Sequence, residues 1–169
     1  MRLVFNSTPL IYLAKVGLLP LLKKLPHERL TTAGVKREVV DVGKEKAAKD
    51  AFIIEEAIQK GVLKIAKITD KVFLQTLSKI PELHLTDAEV LALAKEIEGI
   101  AVVDDRVARE IAKIYRIEHG GTIFILALLI ARGLITKAAA RTALDDMISL
   151  GWRCSAEQYS QIIKMIEVG

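Results

Sequence analysis

The chain has 169 residues, enough for one domain with its own core, and 51% of them are apolar and 27% charged, which excludes a disordered chain. The net charge of +4 permits a polyanionic partner without requiring one, because a mildly basic surface also serves solubility. A single cysteine, Cys154, excludes an intrachain disulfide framework; together with an N-terminus that lacks a charged-then-apolar leader and no apolar run longer than residues 123–131, it sets the expectation of a cytoplasmic protein off the membrane.

The apolar run Arg2-Leu3-Val4-Phe5 predicts a buried strand, and Asn6 stands at its exit. Thr8 as N-cap and Pro9 at the first helical position then predict a helix through Ala14. A second short helix runs to Lys24 and Pro26 ends it. Residues 29–31 suit a short strand, and residues 33–40 a short helix that carries Glu38 among Val35, Val39 and Val40. A longer helix over 45–60 shows an apolar stripe at Ala47, Ala51, Ile54, Ala57 and Ile58, with Gly61 to stop it. Residues 62–65 read as another strand, and Thr69 or Asp70 caps a helix to Lys79. Thr86 as N-cap with Glu89 in capping-box position predicts a helix over 87–98.

Residues 100–103, Ile-Ala-Val-Val, are the clearest buried strand, and they lead directly into Asp104-Asp105-Arg106 and a helix over 107–114. Residues 115–118 read as a last strand. Gly120-Gly121-Thr122 opens an apolar helix to Arg132, whose stripe Ile123, Leu126, Ala127, Ile130 suits a core or a dimer face. Two helices, over 137–150 and 155–167, follow Gly133. This alternation predicts an α/β protein with a parallel sheet of about five strands between helices, extended by C-terminal helices.

Polar residues gather where such a sheet builds its sites. Asn6 and the Asp104–Asp105 pair follow strands, Glu38 lies on an otherwise apolar helix, and Asp87 opens a helix with Glu89 two residues on. Hard oxygen donors converging from several element ends suit Mg²⁺ or Mn²⁺, ions that activate water and stabilise a phosphodiester's developing charge. Taken singly, each acid has a plainer reading: Asp87, Glu89, Asp104 and Asp105 as helix caps, Glu38 as an ion-pair partner of Lys36 or Arg37. Asparagine occurs only at position 6, and the scarcity of amides together with abundant Lys, Glu and Ile leans toward a thermophilic source.

Four stretches together resemble the PIN domain, the fold of VapC-type ribonuclease toxins: Phe5-Asn6-Ser7-Thr8-Pro9-Leu10-Ile11, Val35-Lys36-Arg37-Glu38-Val39, the run from Leu85 through Asp87 to Ala94, and Val102-Val103-Asp104-Asp105-Arg106. Gly120-Gly121-Thr122 and Arg132-Gly133-Leu134-Ile135 resemble one branch of uncharacterised prokaryotic PIN proteins that are predicted to bind nucleic acid. The resemblance implies a PIN-like three-layer α/β/α domain over 1–135 with a helical extension over 136–169 packed on it. It places the family's four acidic positions on Asn6, Glu38, Asp87 and Asp105, with Asp104 as a further metal ligand and Ser7 and Glu89 in support. It implies an endoribonuclease that uses Mg²⁺ or Mn²⁺ to activate the attacking water, the toxin of a toxin–antitoxin pair or a related RNA-processing enzyme, with RNA, an antitoxin protein and a second copy of the chain as partners. The departure is Asn6, which removes one charge from the cluster; the alternative is a catalytically weakened PIN module that binds RNA or a protein. A phosphatase or DNA nuclease built on the same acids is a third reading.

Arg106, Arg109, Lys36 and Arg37 lie beside the acidic stretches and suit RNA phosphates, although each also suits a solvated helix face with pairs such as Arg106–Glu110. At 5% aromatic content the chain offers no base-stacking platform. His27, His84 and His119 match no zinc spacing, and Trp152 reads as a packing residue.

Overall fold

Leu3, Val4 and Phe5 are wholly buried in β1 (Arg2–Phe5), the central strand of a five-stranded parallel sheet in the computed structural model, which describes residues 1–168. A parallel strand covered on both faces reads as an unbroken apolar run because neither face meets water. The sheet order is β3-β2-β1-β4-β5, with β2 at Glu28–Thr31, β3 at Lys64–Ile65, β4 at Ile100–Val102 and β5 at His119–Gly120. Leu3 pairs with Arg29 on one side and Ile100 on the other, so β1 is held by two parallel ladders.

The helices are α1 (Ser7–Lys15), α2 (Ala33–Lys36), α3 (Gly43–Glu45), α4 (Lys49–Gln59), α5 (Lys71–Ser78), α6 (Leu85–Glu96), α7 (Arg106–Ile114), α8 (Thr122–Ala131), α9 (Lys137–Ser149) and α10 (Ala156–Val168), with a 3₁₀ turn over Leu19–Lys24. A π-helical stretch, Arg37–Val42, joins α2 to α3 without a break. The architecture is the expected three-layer α/β/α arrangement. No helix among the described residues is long and apolar enough to cross a membrane.

Four local expectations are corrected. The cap of α1 is Asn6, whose Oδ1 accepts from Ser7 N at 2.8 Å, so the helix starts earlier than the Thr8-Pro9 signal implied. The helix expected over 45–60 breaks where Ala47 adopts φ +55°, and α4 begins at Lys49. Helix α6 starts at Leu85 with no side-chain cap, because Glu89 accepts from Thr32 Oγ1 at 2.9 Å instead of closing a capping box with Thr86. The last strand is at His119–Gly120, not 115–118: Tyr115 ends α7 and Arg116 turns the chain through φ +55° before pairing begins.

The main core lies around the sheet and includes Leu10 and Leu13 of α1, Ile54 of α4 and Leu91 of α6. A second cluster joins Leu126 of α8 to Ala140, Leu144 and Met147 of α9 and Ile166 of α10, with Ile123 and Ile130 packed against it. Of the α8 stripe, Leu126 is thus buried within the chain, while Ile123, Ala127 and Ile130 are half-buried. The expected division near residue 135 falls between α8 and α9, and Gly169, the end of the expected extension, lies outside the described residues.

Leu91 is fully buried in α6, between the sheet and its neighbours. Leu91→Ala is expected to lower the unfolding free energy by about 2–5 kcal/mol, the usual range for a large-to-small core change, measured by urea denaturation. A loss under ~1 kcal/mol would contradict this packing.

Candidate active site

Connections leave β1 toward β2 on one side, and β4 lies on the other, so the strand order reverses between β1 and β4. Open α/β sheets form a crevice beyond the carboxyl ends of the strands at such a point. Backbone pairing continues past both strand ends, with Asn6 N donating to Val102 O at 3.0 Å and Val103 N to Gly120 O at 2.8 Å. These bonds fix Asn6 and the Asp104–Asp105 turn relative to each other. A cavity of about 460 Å³ opens there, lined by Asn6, Ser7, Glu38, Asp87, Asp104 and Asp105. His84, Leu85 and Thr86, from the start of α6, and Thr8 complete the wall.

Asn6 and Asp87 meet at the floor, 7% and 3% exposed. Asn6 Nδ2 donates to Asp87 Oδ1, while Asn6 Oδ1 is held by Ser7 N. The amide is thus oriented by the helix it caps, and it turns its donor toward the one buried carboxylate. Burial raises the Asp87 pKa above the ordinary carboxylate value, and the nearby Asp105 carboxylate raises it further; His84 and the Asn6 hydrogen bond pull the other way. His84 Nδ1 stands 3.7 Å from Asp87 Oδ2. Sequence reasoning left His84 among unplaced histidines; its position three residues before Asp87, one helical turn away, was the available signal.

Asp105 is exposed and caps α7, its Oδ2 accepting from Ala108 N at 3.0 Å. Glu38 is exposed, projects from the π-helical stretch and has no ion pair among the described residues. Asp104 differs. Its Oδ1 accepts from Thr122 N at 2.7 Å, and its Oδ2 from Thr122 Oγ1 at 2.6 Å and Trp152 Nε1 at 3.1 Å. Both oxygens accept from protein donors, so Asp104 ties the exit of β4 to α8 and the C-terminal turn while it also lines the cavity. Glu89 does not line the cavity: it lies against Gly34 and accepts from Thr32, whose own Oγ1 accepts from Val35 N at 3.2 Å to cap α2. Glu89 thus braces the helix that leads to Glu38 and supports the site at one remove.

Ser7 stands in the cavity wall, and its Oγ is buried there with no hydrogen-bond partner. Of the basic residues, Lys36 pairs with Asp41 at 2.9 Å and Arg106 with Glu110 at 3.1 Å, whereas Arg37 and Arg109 are exposed without an ion pair among the described residues. Arg106 and Arg109 stand on the first two turns of α7, directly after Asp105.

The donor set is all oxygen, anionic and free of lysine or arginine pairing at Asp87, Asp105 and Glu38, and an orphaned hydroxyl stands among them. That chemistry fits a hard divalent cation. Among the described residues, no group of three or more His, Cys, Asp or Glu side chains is already gathered to hold a metal ion. The carboxylates share a cavity without closing on its centre.

Comparison with known proteins adds one finding. A family model described as PIN domain matches residues 2–168. A search of curated proteins returns no match to the chain.

Because its folded pKa is raised, Asp87 favours the fold when protonated. That contribution is full below the unfolded carboxylate pKa and is lost as pH rises through the raised one. Asp87→Asn imitates the protonated acid and can still accept from Asn6. The variant is expected to melt higher than the parent at pH 7, and the gap is expected to narrow as pH falls through the carboxylate range, followed by circular dichroism. A variant that melts lower at pH 7 would contradict this account of the buried charge.

Proposed function

The chain belongs to the PIN-domain family, whose chemistry is of the nuclease type, and we propose that it is a Mg²⁺- or Mn²⁺-dependent endoribonuclease whose site is the β1/β4 crevice. The observation that carries this reading is the convergence of Glu38, Asp87 and Asp105 on one cavity, with their charges unpaired by lysine or arginine, at the switch point of the sheet.

These three residues would hold the cation, which when bound neutralises phosphate charge and raises the acidity of a water molecule. The remaining roles follow from the chain's own groups. Asn6 Nδ2 fixes Asp87 through Oδ1 and leaves Oδ2, with His84 Nδ1 3.7 Å away, as the oxygen for the cation. Ser7 supports the site through its backbone N–H, which fixes the Asn6 amide oxygen. Arg106 and Arg109 reach the RNA backbone beside the scissile position, and Lys36 and Arg37 extend the same basic margin next to Glu38. Residues 136–169 act as a helical extension of this one domain. The toxin role, with an antitoxin protein as partner, and a homodimer are further parts of the proposal.

Asn6 itself favours the second reading, a weakened PIN module that binds RNA or a protein. Both of its polar atoms are committed inside the protein, and it brings no charge where the family resemblance places an acid.

The test is Mn²⁺ titration calorimetry and Mn²⁺-dependent cleavage of a mixed RNA pool with the parent, Asp105→Asn and Asn6→Asp proteins. Asn is as good an N-cap as Asp, so Asp105→Asn keeps α7 capped. It is expected to bind Mn²⁺ at least tenfold more weakly and to lose cleavage by about 10²-fold or more, the scale of removing a group that stabilises transition-state charge. Unchanged cleavage would sink the ribonuclease reading. Binding and cleavage only in Asn6→Asp would select the weakened module.

A further inference from the structure

Trp152 is the only tryptophan in the chain, and it stands in the turn between α9 and α10, 48 residues from the acid it touches. Its ring N–H donates to Asp104 Oδ2 at 3.1 Å, and its backbone N–H donates to Met147 O at 2.9 Å, so the ring is tied to α9 at one end and to the exit of β4 at the other. Thr122, with no exposed surface, grips the same carboxylate twice, through its backbone N and its Oγ1. The neighbouring residue is glycine, and a Cβ at Gly121 would run into Asp104 Oδ1. The same turn also meets the other side of the crevice: a Cβ at Gly151 would lie 3.3 Å from the Tyr12 hydroxyl on α1. The α9–α10 turn thus bonds to Asp104 at the exit of β4, next to Asp105, and lies close to α1, whose N-cap is Asn6.

We infer that Trp152 is a positioning residue for the carboxylate site: through Asp104, clamped between it and Thr122, it sets where Asp105 stands, and so makes the C-terminal helices part of the site's cation affinity rather than an appendage. The inference rests on the metal-dependent reading of the crevice. The physical argument is one of leverage. Asp105 is exposed and its own side chain is held only by the α7 cap. Its backbone is held by the preceding residue, and all three hydrogen bonds to that residue's side chain come from the α8 start and the α9–α10 turn. Outer groups that orient a ligand in this way typically change metal affinity by 10- to 100-fold when removed.

The experiment uses Mn²⁺ alone as the probe, on the full chain. The parent is titrated by calorimetry and by its tryptophan emission, which is expected to change on Mn²⁺ addition because the one indole touches the residue next to Asp105. Trp152→Phe keeps an aromatic ring in place of the indole and removes the N–H; it is expected to bind Mn²⁺ on the order of tenfold more weakly while its circular dichroism is unchanged. Thr122→Val removes a different donor from the same carboxylate and is expected to give a comparable loss, which covers the case in which the tryptophan variant fails to fold. Leu150→Ala changes an exposed residue beside the same turn and is expected to bind as the parent does. A folded Trp152→Phe that binds Mn²⁺ as tightly as the parent overturns this inference alone, as does a folded Thr122→Val that does so. A parent that binds no Mn²⁺ overturns it together with the ribonuclease reading.

Discussion

The amide of Asn6 and the carboxylate of Asp87 meet in a place where water hardly reaches. An ionised carboxylate there is costly, and a second acid in place of the amide would add like-charge repulsion. The amide removes that repulsion, because one of its ends donates to Asp87 and the other is fixed by the first turn of α1. The exit of β1, the start of α1 and the first turn of α6 are locked together by this one group. With Asn6 in place of an acid, the charge of the crevice rests on Asp87, Asp105 and Glu38.

The other acids also carry parts of the fold. Asp105 starts α7, Asp104 ties α8 and the C-terminal turn to β4, and Glu89 braces the cap of α2. A carboxylate that ends a helix's backbone demand is stabilising wherever it stands. The chain therefore meets two requirements with the same residues: the caps that terminate loops at the carboxyl edge are also the donors that line the crevice. Asp104 and Glu89 stand apart in bracing the elements that carry Asp105 and Glu38, Asp104 through three protein donors and Glu89 through Thr32.

The order of strands and helices was legible in the chain because parallel strands buried on both faces are short apolar runs, and Ile100 to Val103 is such a run. Asn6 and Asp105 were legible because they follow strand ends, and Glu38 and Asp87, which stand on helical segments, were tied to the site by the PIN resemblance. What escaped was decided by partners distant in sequence. Thr86 and Glu89 have capping-box spacing, but Glu89 is claimed by Thr32, 57 residues away. Thr8-Pro9 is a sound local start signal, yet Asn6 takes the cap because it also satisfies Asp87. Residues 115–118 have strand composition, but Arg116 must first turn the chain out of α7. Trp152 looked like packing because nothing local marks an indole N–H that will find a carboxylate 48 residues back.

The π-helical stretch at Arg37–Val42 bears on how such a site can change over evolutionary time. A wider turn is one residue longer than the helix it interrupts, and stretches of this kind are concentrated at functional positions. It is a place where a single codon can be gained or lost without breaking α2 or α3. Removing one residue would restore ordinary helical winding while leaving the flanking segments roughly in phase, because the wider turn is what absorbs the extra residue. The side chains inside the stretch, Glu38 among them, would be redistributed around the axis in one mutational step, while Val35 before it and α3 after it kept their places. The same step in reverse would restore the present placement of Glu38, so that the site could be altered and regained through insertion and deletion rather than through substitution of its carboxylates.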